Sequence, residues 1–259
     1  MPRRSFAELL ALGRMALGTW SQVPAPELLD ILGDVGLDFT IVDCEHGGFD
    51  LPQAENLFRA CDAAGLVPLC RAPALDPAWI GRALDAGAQA VIVPGLDSAI
   101  AAARAVAATR FAPEGTRGAC PCVRAGGHFI RDWRAHEAAE RDKGVIALVE
   151  TAEGLNAVEA ICATPGLLAV LAGPFDLSVS LGLRGDYRHP SVAQAMDRIA
   201  AAARAAALPL IAPVFDPDPA EARRQRREWQ ARGAALLAIG TDKILFSTAA
   251  RSYREALYG

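Results

Sequence analysis

The chain is nearly without lysine. Of its 26 basic residues only Lys143 and Lys243 are lysines and the rest are arginines, so any chemistry that needs an amine has two candidates. Histidine is scarce at four residues, and aromatics make up 6%. No run of about 18 uncharged apolar residues occurs, and a membrane span is not expected. Acids outnumber bases by 30 to 26, whereas a general nucleic-acid surface needs a basic excess. None of the six cysteines forms a C-x-x-C pair and most lie in apolar segments. Reduced, largely buried thiols in a cytoplasmic protein are the expectation.

What is abundant is apolar. Such residues make up 52% of 259, enough to bury a sizeable core. Short apolar runs suited to buried strands lie at Met15–Thr19, Phe39–Asp43, Val67–Arg71 and Ala90–Pro94. Four more lie at Val145–Glu150, Leu167–Ala172, Leu208–Val214 and Leu236–Gly240. Between them run helix-like segments at Pro26–Val35, Leu51–Ala64, Pro77–Ala86, Ser98–Thr109, Gly154–Cys162, Ser191–Ala206, Pro219–Arg232 and Ile244–Leu257. Eight strand–helix units in about 250 residues is the arithmetic of a (β/α)8 barrel. The alternative, a doubly wound sheet, is weakened because no Gly-rich phosphate fingerprint follows the first strand. We expect one barrel domain over residues 1–259, with an amphipathic first helix after Arg3 and Arg4. The excursion at 110–144 should carry an extra helix at Ile130–Arg141.

A barrel keeps its chemistry at the carboxyl ends of its strands. Those positions hold Asp43, Glu45 and His46, then Arg71, Glu150, the run Gly173-Pro174-Phe175-Asp176, and Thr241-Asp242. Five strand ends supplying five acids, a histidine and an arginine read as a site. Glu150 and Asp176 would repel unless one is protonated or a cation lies between them. Two protein oxygens and open positions suit a hard divalent ion, while helix capping by either carboxylate stays open. Asp43, three residues before His46, is placed to hold one imidazole nitrogen, or the histidine bonds a nearby carbonyl. Arg71 is a natural clamp for a carboxylate or enolate oxygen. A salt bridge to Asp43 or Glu150 is compatible with that role.

Leu17-Gly-Thr-Trp-Ser21, Asp43-Cys-Glu-His46, Arg71-Ala-Pro73, Asp85-Ala-Gly-Ala-Gln89 and Pro113-Glu-Gly-Thr-Arg-Gly118 together resemble the HpcH/HpaI aldolases. Glu150-Thr151 and Gly173-Pro-Phe-Asp-Leu-Ser178 fit the same pattern. The resemblance implies a (β/α)8 barrel of the phosphoenolpyruvate/pyruvate-domain type and a metal-dependent class II aldolase. It further implies pyruvate-type 2-oxo acid donors, an aldehyde partner and a homo-oligomer, hexamer or trimer. It assigns a divalent metal (magnesium, manganese, cobalt or zinc) to Glu150 and Asp176, and a catalytic dyad to His46 and Asp43. Arg71 would stabilise the enolate, the backbone at Gly173, Pro174 and Phe175 would meet the substrate carboxylate, and Asp85 would lie near a neighbouring subunit's site. One position departs from the family: Leu148 stands where members carry a glutamine, two residues before the metal glutamate and on the same strand face. A hydrogen-bond donor to the 2-oxo acid is then missing, which puts hydroxypyruvate beside pyruvate as a donor.

The same enolate would arise from an oxaloacetate-like substrate by decarboxylation. A Schiff-base route is disfavoured, because Lys143 precedes the fifth strand and Lys243 begins a helix. Two other readings stay open. One is an acyl-CoA lyase of the related citrate-lyase-like barrels, its nucleotide phosphates met by Arg117, Arg124, Arg131 and Arg134. The other is a non-catalytic barrel that binds a partner, for which only Leu148 speaks. His136-Glu137-Ala-Ala-Glu140 lacks the last histidine of a zinc-protease helix, and the arginines of 223–227 are flanked by Glu221 and Glu228 as on a solvated face.

Overall fold

In the computed structural model, which describes residues 4–259, eight parallel strands close into a barrel in chain order, the first pairing with both the second and the eighth. They are β1 (Ala16–Ser21), β2 (Phe39–Asp43), β3 (Val67–Arg71), β4 (Ala90–Val93), β5 (Gly144–Val149), β6 (Leu167–Ala172), β7 (Leu210–Val214) and β8 (Ala234–Thr241). The helices are α1 (Phe6–Leu10), α2 (Pro26–Asp34), α3 (Leu51–Ala64), α4 (Pro77–Ala86), α5 (Ala99–Ala107), α6 (Trp133–Glu140), α7 (Ala152–Asn156), α8 (Val158–Cys162), α9 (Pro174–Ser180), α10 (Pro190–Ala205), α11 (Pro219–Arg232) and α12 (Asp242–Tyr258). The (β/α)8 expectation is met.

The strands read as continuous apolar runs because both of their faces are dry. Side chains alternate. Phe39, Ile41, Leu69, Ile92, Ile146 and Leu148 fill the axis, while Val42, Cys70, Val91 and Ala147 face the helices. Local signals set the helix ends. Asp50 and Gln53 form a capping box on α3, and Asp76 and Asp218 cap α4 and α11 ahead of a proline. Gly65, Gly87 and Gly233 end those three helices at positive φ.

Boundaries differ where such signals were misread. The extra helix starts at Trp133 instead of 130, because the Asp132 side chain accepts the Ala135 N–H and caps it there. The segment 154–162 is two short helices broken at Ala157 (φ −98°, ψ 6°), and the short α9 carries Asp176. The first helix is confined to Phe6–Leu10 by a Ser5–Glu8 capping box; Arg3 lies outside the described residues.

Helices return the chain to the amino ends of the strands. The excursion leaves from the end of α5 and re-enters at the start of β5, and between those points residues 116–128 run along the outer side of α4. It is tied down by Arg117, whose guanidinium bonds Asp85 at 2.6 Å and Glu140 at 2.8 Å and lies over the Phe111 ring. Arg124 adds bonds to Asp62 and to the Ala86 carbonyl. Among the described residues no helix is long and apolar enough to cross a membrane.

Gly18 shows how tightly the axis is filled. A Cβ there would sit 2.4 Å from the Phe39 carbonyl oxygen and 2.5 Å from its ring. Gly18→Ala is expected to cost about 1–3 kcal/mol through overpacking, read as a lower denaturant midpoint at unchanged slope; an unaltered midpoint would show that both the Phe39 ring and the β2 backbone yield freely.

Candidate active site

The site forms where the strand ends converge, around a buried ion pair. Asp43, the last residue of β2, is fully buried. Its Oδ1 accepts Arg71 Nε at 2.8 Å and its Oδ2 accepts Arg71 Nη2 at 2.6 Å, a bidentate fork between the ends of β2 and β3. Gln22 Nε2 adds a bond to Oδ2 at 2.8 Å, and the backbone N–H groups of Glu45 and His46 each reach Oδ1 at 3.2 Å. Burial pushes the Asp43 carboxyl up, yet these donors hold it below the usual carboxylate range. The guanidinium lies 4.6 Å from the centre of the Trp20 ring, and its Nη1 sits 2.8 Å from Glu45 Oε2. That last contact is an ion pair with poor hydrogen-bond alignment, since Oε2 has no aligned donor.

Asp43 does not orient the imidazole. It binds the backbone of His46, and every acceptor position it offers is already taken. The His46 ring is exposed, with Glu45 Oε2 at 3.9 Å from Nε2. The carboxylate within reach of the imidazole is therefore Glu45, whose pKa is raised, by burial first, with Arg71 and His46 opposing.

Across the barrel the balance is reversed. Glu150 follows β5 and is buried, with Oε1 accepting the Gly95 N–H at 2.8 Å. Asp176, in the first turn of α9, is exposed. Burial, then the charges of Asp176 and Glu45, push the Glu150 carboxyl up to about 7. Capping does not explain either acid, because Thr151 caps α7 and α9 has no side-chain cap. Among the described residues no three His, Cys, Asp or Glu side chains cluster as a metal cage. Two facing carboxylates without a cationic partner instead fit a hard divalent ion with open positions. Gly173 must be glycine beside them, because a Cβ would lie 2.6 Å from Glu150 Cβ. Pro174 is buried and Phe175 half exposed.

Leu148 is 1% exposed and lies one strand layer below Glu150 among the axial side chains, so the site's floor is apolar there. Asp85 sits in the last turn of α4, held by Arg117 on the opposite face of its own barrel. Asp242 is structural: its carboxylate caps the N–H groups of Gln22, Val23 and Lys243. Lys143 is committed to Glu140 at 2.5 Å and Lys243 is exposed. Sequence reasoning missed Gln22, Trp20 and Gly95. Trp20 lies inside the Leu17–Ser21 motif and faces the barrel axis beside Arg71, and Gln22, just past the end of β1, stands two residues on at the strand end that reaches Asp43.

The chain matches the HpcH/HpaI aldolase/citrate lyase family over residues 16–249. It belongs to that family of carbon–carbon lyases. A 5-keto-4-deoxy-D-glucarate aldolase of Citrobacter koseri is 33% identical over 254 residues, 97% of this chain and 95% of that protein. A family member from Burkholderia cenocepacia is 34% identical, with a TM-score of 0.88 over 98% of both chains. The HpcH/HpaI aldolase of Desulfitobacterium hafniense has the same TM-score at 27% identity, over 98% of this chain and 96% of that one.

Glu150 predicts a pH dependence of stability. Its folded pKa of about 7 lies above the ordinary 4.5, so between those values the folded state keeps a proton that the unfolded chain has released. That contribution is fully present below 4.5 and is lost as pH rises through 7, about 3 kcal/mol in all. Chelated protein should lose unfolding free energy of that order between pH 5 and 8, and Glu150→Gln should flatten this part of the profile. An identical slope in the variant would assign the dependence to another group.

Proposed function

We propose that the protein is a metal-dependent aldolase that cleaves or forms 4-hydroxy-2-oxo acids, joining a pyruvate-type 2-oxo acid to an aldehyde. The observation that carries this reading is Glu150, a buried carboxylate beside Asp176 that has no ion pair among the described residues, facing the fixed guanidinium of Arg71. A divalent cation held by Glu150 and Asp176 (magnesium, manganese, cobalt or zinc) would supply Lewis-acid polarisation of the carboxylate and ketone oxygens of the 2-oxo acid. Arg71, pinned by Asp43, presents positive charge where the enolate oxygen develops and needs no reorganisation to do so. The backbone at Gly173, Pro174 and Phe175 borders the place of the substrate carboxylate. His46, exposed at the mouth with Glu45 beside its ring, is the group positioned to move a proton between the aldol hydroxyl and solvent. Asp43 acts through both, fixing the arginine directly and the histidine by its backbone. An oxaloacetate-like acid would reach the same enolate by losing carbon dioxide.

The sugar-acid aldolase named among the relatives supports a hydroxylated, acidic product. Leu148 offers no hydrogen bond, so the donor is held by its carboxylate and ketone oxygens and by Arg71; pyruvate fits, and hydroxypyruvate has to leave its extra hydroxyl to water or to another residue. The acyl-CoA alternative loses support, because two of the four arginines that could meet nucleotide phosphates, Arg117 and Arg124, are buried in ion pairs with Asp85, Glu140 and Asp62, and only Arg131 and Arg134 stay exposed. A homo-oligomer, trimer or hexamer, accounts for α12, which exposes Phe246, Tyr253 and Leu257 at 75, 76 and 74%. In such an assembly Asp85, remote from its own site, would serve a neighbour's.

The test is pyruvate release from a 4-hydroxy-2-oxo acid, with chelated enzyme compared with enzyme given each divalent metal. Release should require metal and vanish in Glu150→Gln. Arg71→Lys, which keeps the charge but loses the fork, should lower kcat about 100-fold. Folded protein that releases no pyruvate with any metal would sink the aldolase reading.

A further inference from the structure

Two thiols stand directly behind the strand ends that carry the buried ion pair. Cys44 follows Asp43 and Cys70 precedes Arg71, and both pack in the layer between strands and helices. Their Sγ atoms are 3.9 Å apart, and the Cys44 N–H donates to the Arg71 carbonyl at 3.0 Å. The two differ in access. Cys70 is fully buried, whereas Cys44 is 8% exposed and lines an open cleft of about 470 Å³ with Phe49, Leu51, Pro73, Trp79 and Arg82. Cys44 is thus the residue of the pair that borders a cleft, and the Cys70 sulfur lies within reach of its own.

We propose that Cys44 and Cys70 form a hydroperoxide-sensitive dithiol whose oxidation to a disulfide displaces the Asp43–Arg71 pair and switches the site off. The first step transfers one oxygen: the Cys44 thiol becomes a sulfenic acid and the hydroperoxide leaves as an alcohol, or as water from hydrogen peroxide. In the second, the Cys70 sulfur attacks the sulfenic sulfur, the S–S bond forms, the S–O bond breaks, and hydroxide departs with the Cys70 proton as water. Two thiols and one hydroperoxide give one disulfide, one alcohol and one water, the sulfurs losing two electrons. An added dithiol reverses the change by exchange.

The geometry supplies the coupling. Bonded sulfurs lie about 2.05 Å apart, so the pair must close by roughly 1.9 Å. Val42 is level with Cys70 in the β2–β3 register, which makes Cys44 and Cys70 diagonal neighbours whose closure pulls on backbone as well as on side chains. The backbone pulled is that of residues 43–46 and 70–71. It holds the Arg71 fork at 2.6 and 2.8 Å and the two N–H bonds to Asp43 at 3.2 Å. Cys44, the more exposed of the two and the one that borders the cleft, is the sulfur assigned the first oxidation, and burial pushes the Cys70 thiol well up.

The experiment uses the full chain with the two exposed thiols removed (Cys120→Ser, Cys122→Ser), with and without hydrogen peroxide. Oxidised protein should be about 2 Da lighter, yield a peptide linking Cys44 to Cys70, and regain its mass with dithiothreitol. Hydrogen exchange at the Glu45 and His46 amides should accelerate at least ten-fold in the cross-linked form, a readout that does not depend on the reaction assigned above. Where turnover is measurable it should fall ten-fold or more and return on reduction. Cys70→Ala and Cys44→Ala, separately, should be immune to both effects. Unlinked Cys44 and Cys70 peptides after oxidation, or a cross-link that leaves amide exchange and turnover unchanged, would overturn the proposal.

Discussion

The Asp43–Arg71 fork is the contact on which the catalytic face depends. A carboxylate with no exposed surface is tolerated only if its lone pairs are filled, and here one guanidinium, one amide side chain and two backbone N–H groups fill them. The donors come from three stretches of chain. Gln22 brings in the end of β1, and its own backbone is fastened by Asp242 after β8. The turn after β2 is fixed through the amides of residues 45 and 46, and the end of β3 arrives as Arg71. Asp43 thereby sets the geometry of three consecutive strand ends, and Asp242 ties the end of β8 to them. The indole of Trp20 beneath the guanidinium closes the remaining direction.

Opposite that saturated arc, the ends of β5 and β6 are left short of cations. Glu150 is buried, feels two other carboxylates and receives one backbone N–H in return, and the consequence is a proton affinity near neutrality. The two halves are complementary. A rigid positive group whose own anion is satisfied faces acids whose charge is not, and the space between them favours a ligand that carries both a cation and anionic oxygens. Neither half would have this property alone: without Asp43, Arg71 would be free to neutralise Glu150.

The barrel was legible in the sequence because each strand is a short apolar run bounded by charges or turn residues, and because Asp-Pro pairs marked helix starts at 76–77 and 218–219. The ends of α3, α4 and α11 agree with that reading residue for residue. The breaks at Asp132 and Ala157 were hidden, since a side-chain cap and a local change of ψ leave no mark on apolar periodicity. In the site, residue types at strand ends identified Asp43, Arg71, Glu150 and Asp176, but not who bonds to whom. A spacing of three allows Asp43 to meet either the ring or the backbone of His46, and only the placement of Arg71 and Gln22 decides for the backbone. Glu45 consequently takes the position beside the imidazole. Asp85 could not be placed either, because the helix that carries it runs away from its own site.

The floor of the site ties its electrostatics to its chemistry. Trp20 and Leu148 lie one layer below the charged ring, both buried, so the charges above rest on a medium of low polarisability. That medium is why burial comes first among the causes raising Glu150 and Glu45, and it lengthens the reach of the fixed charge on Arg71. A polar side chain at residue 148 would add a donor for substrate, and it would also solvate Glu150 and relax its demand for a cation. Leucine there trades a hydrogen bond for field strength. The residue at 148 is thus coupled to Glu150, and under the proposed metal-dependent reading its effect on donor choice is weighed together with its effect on how tightly a cation would be held.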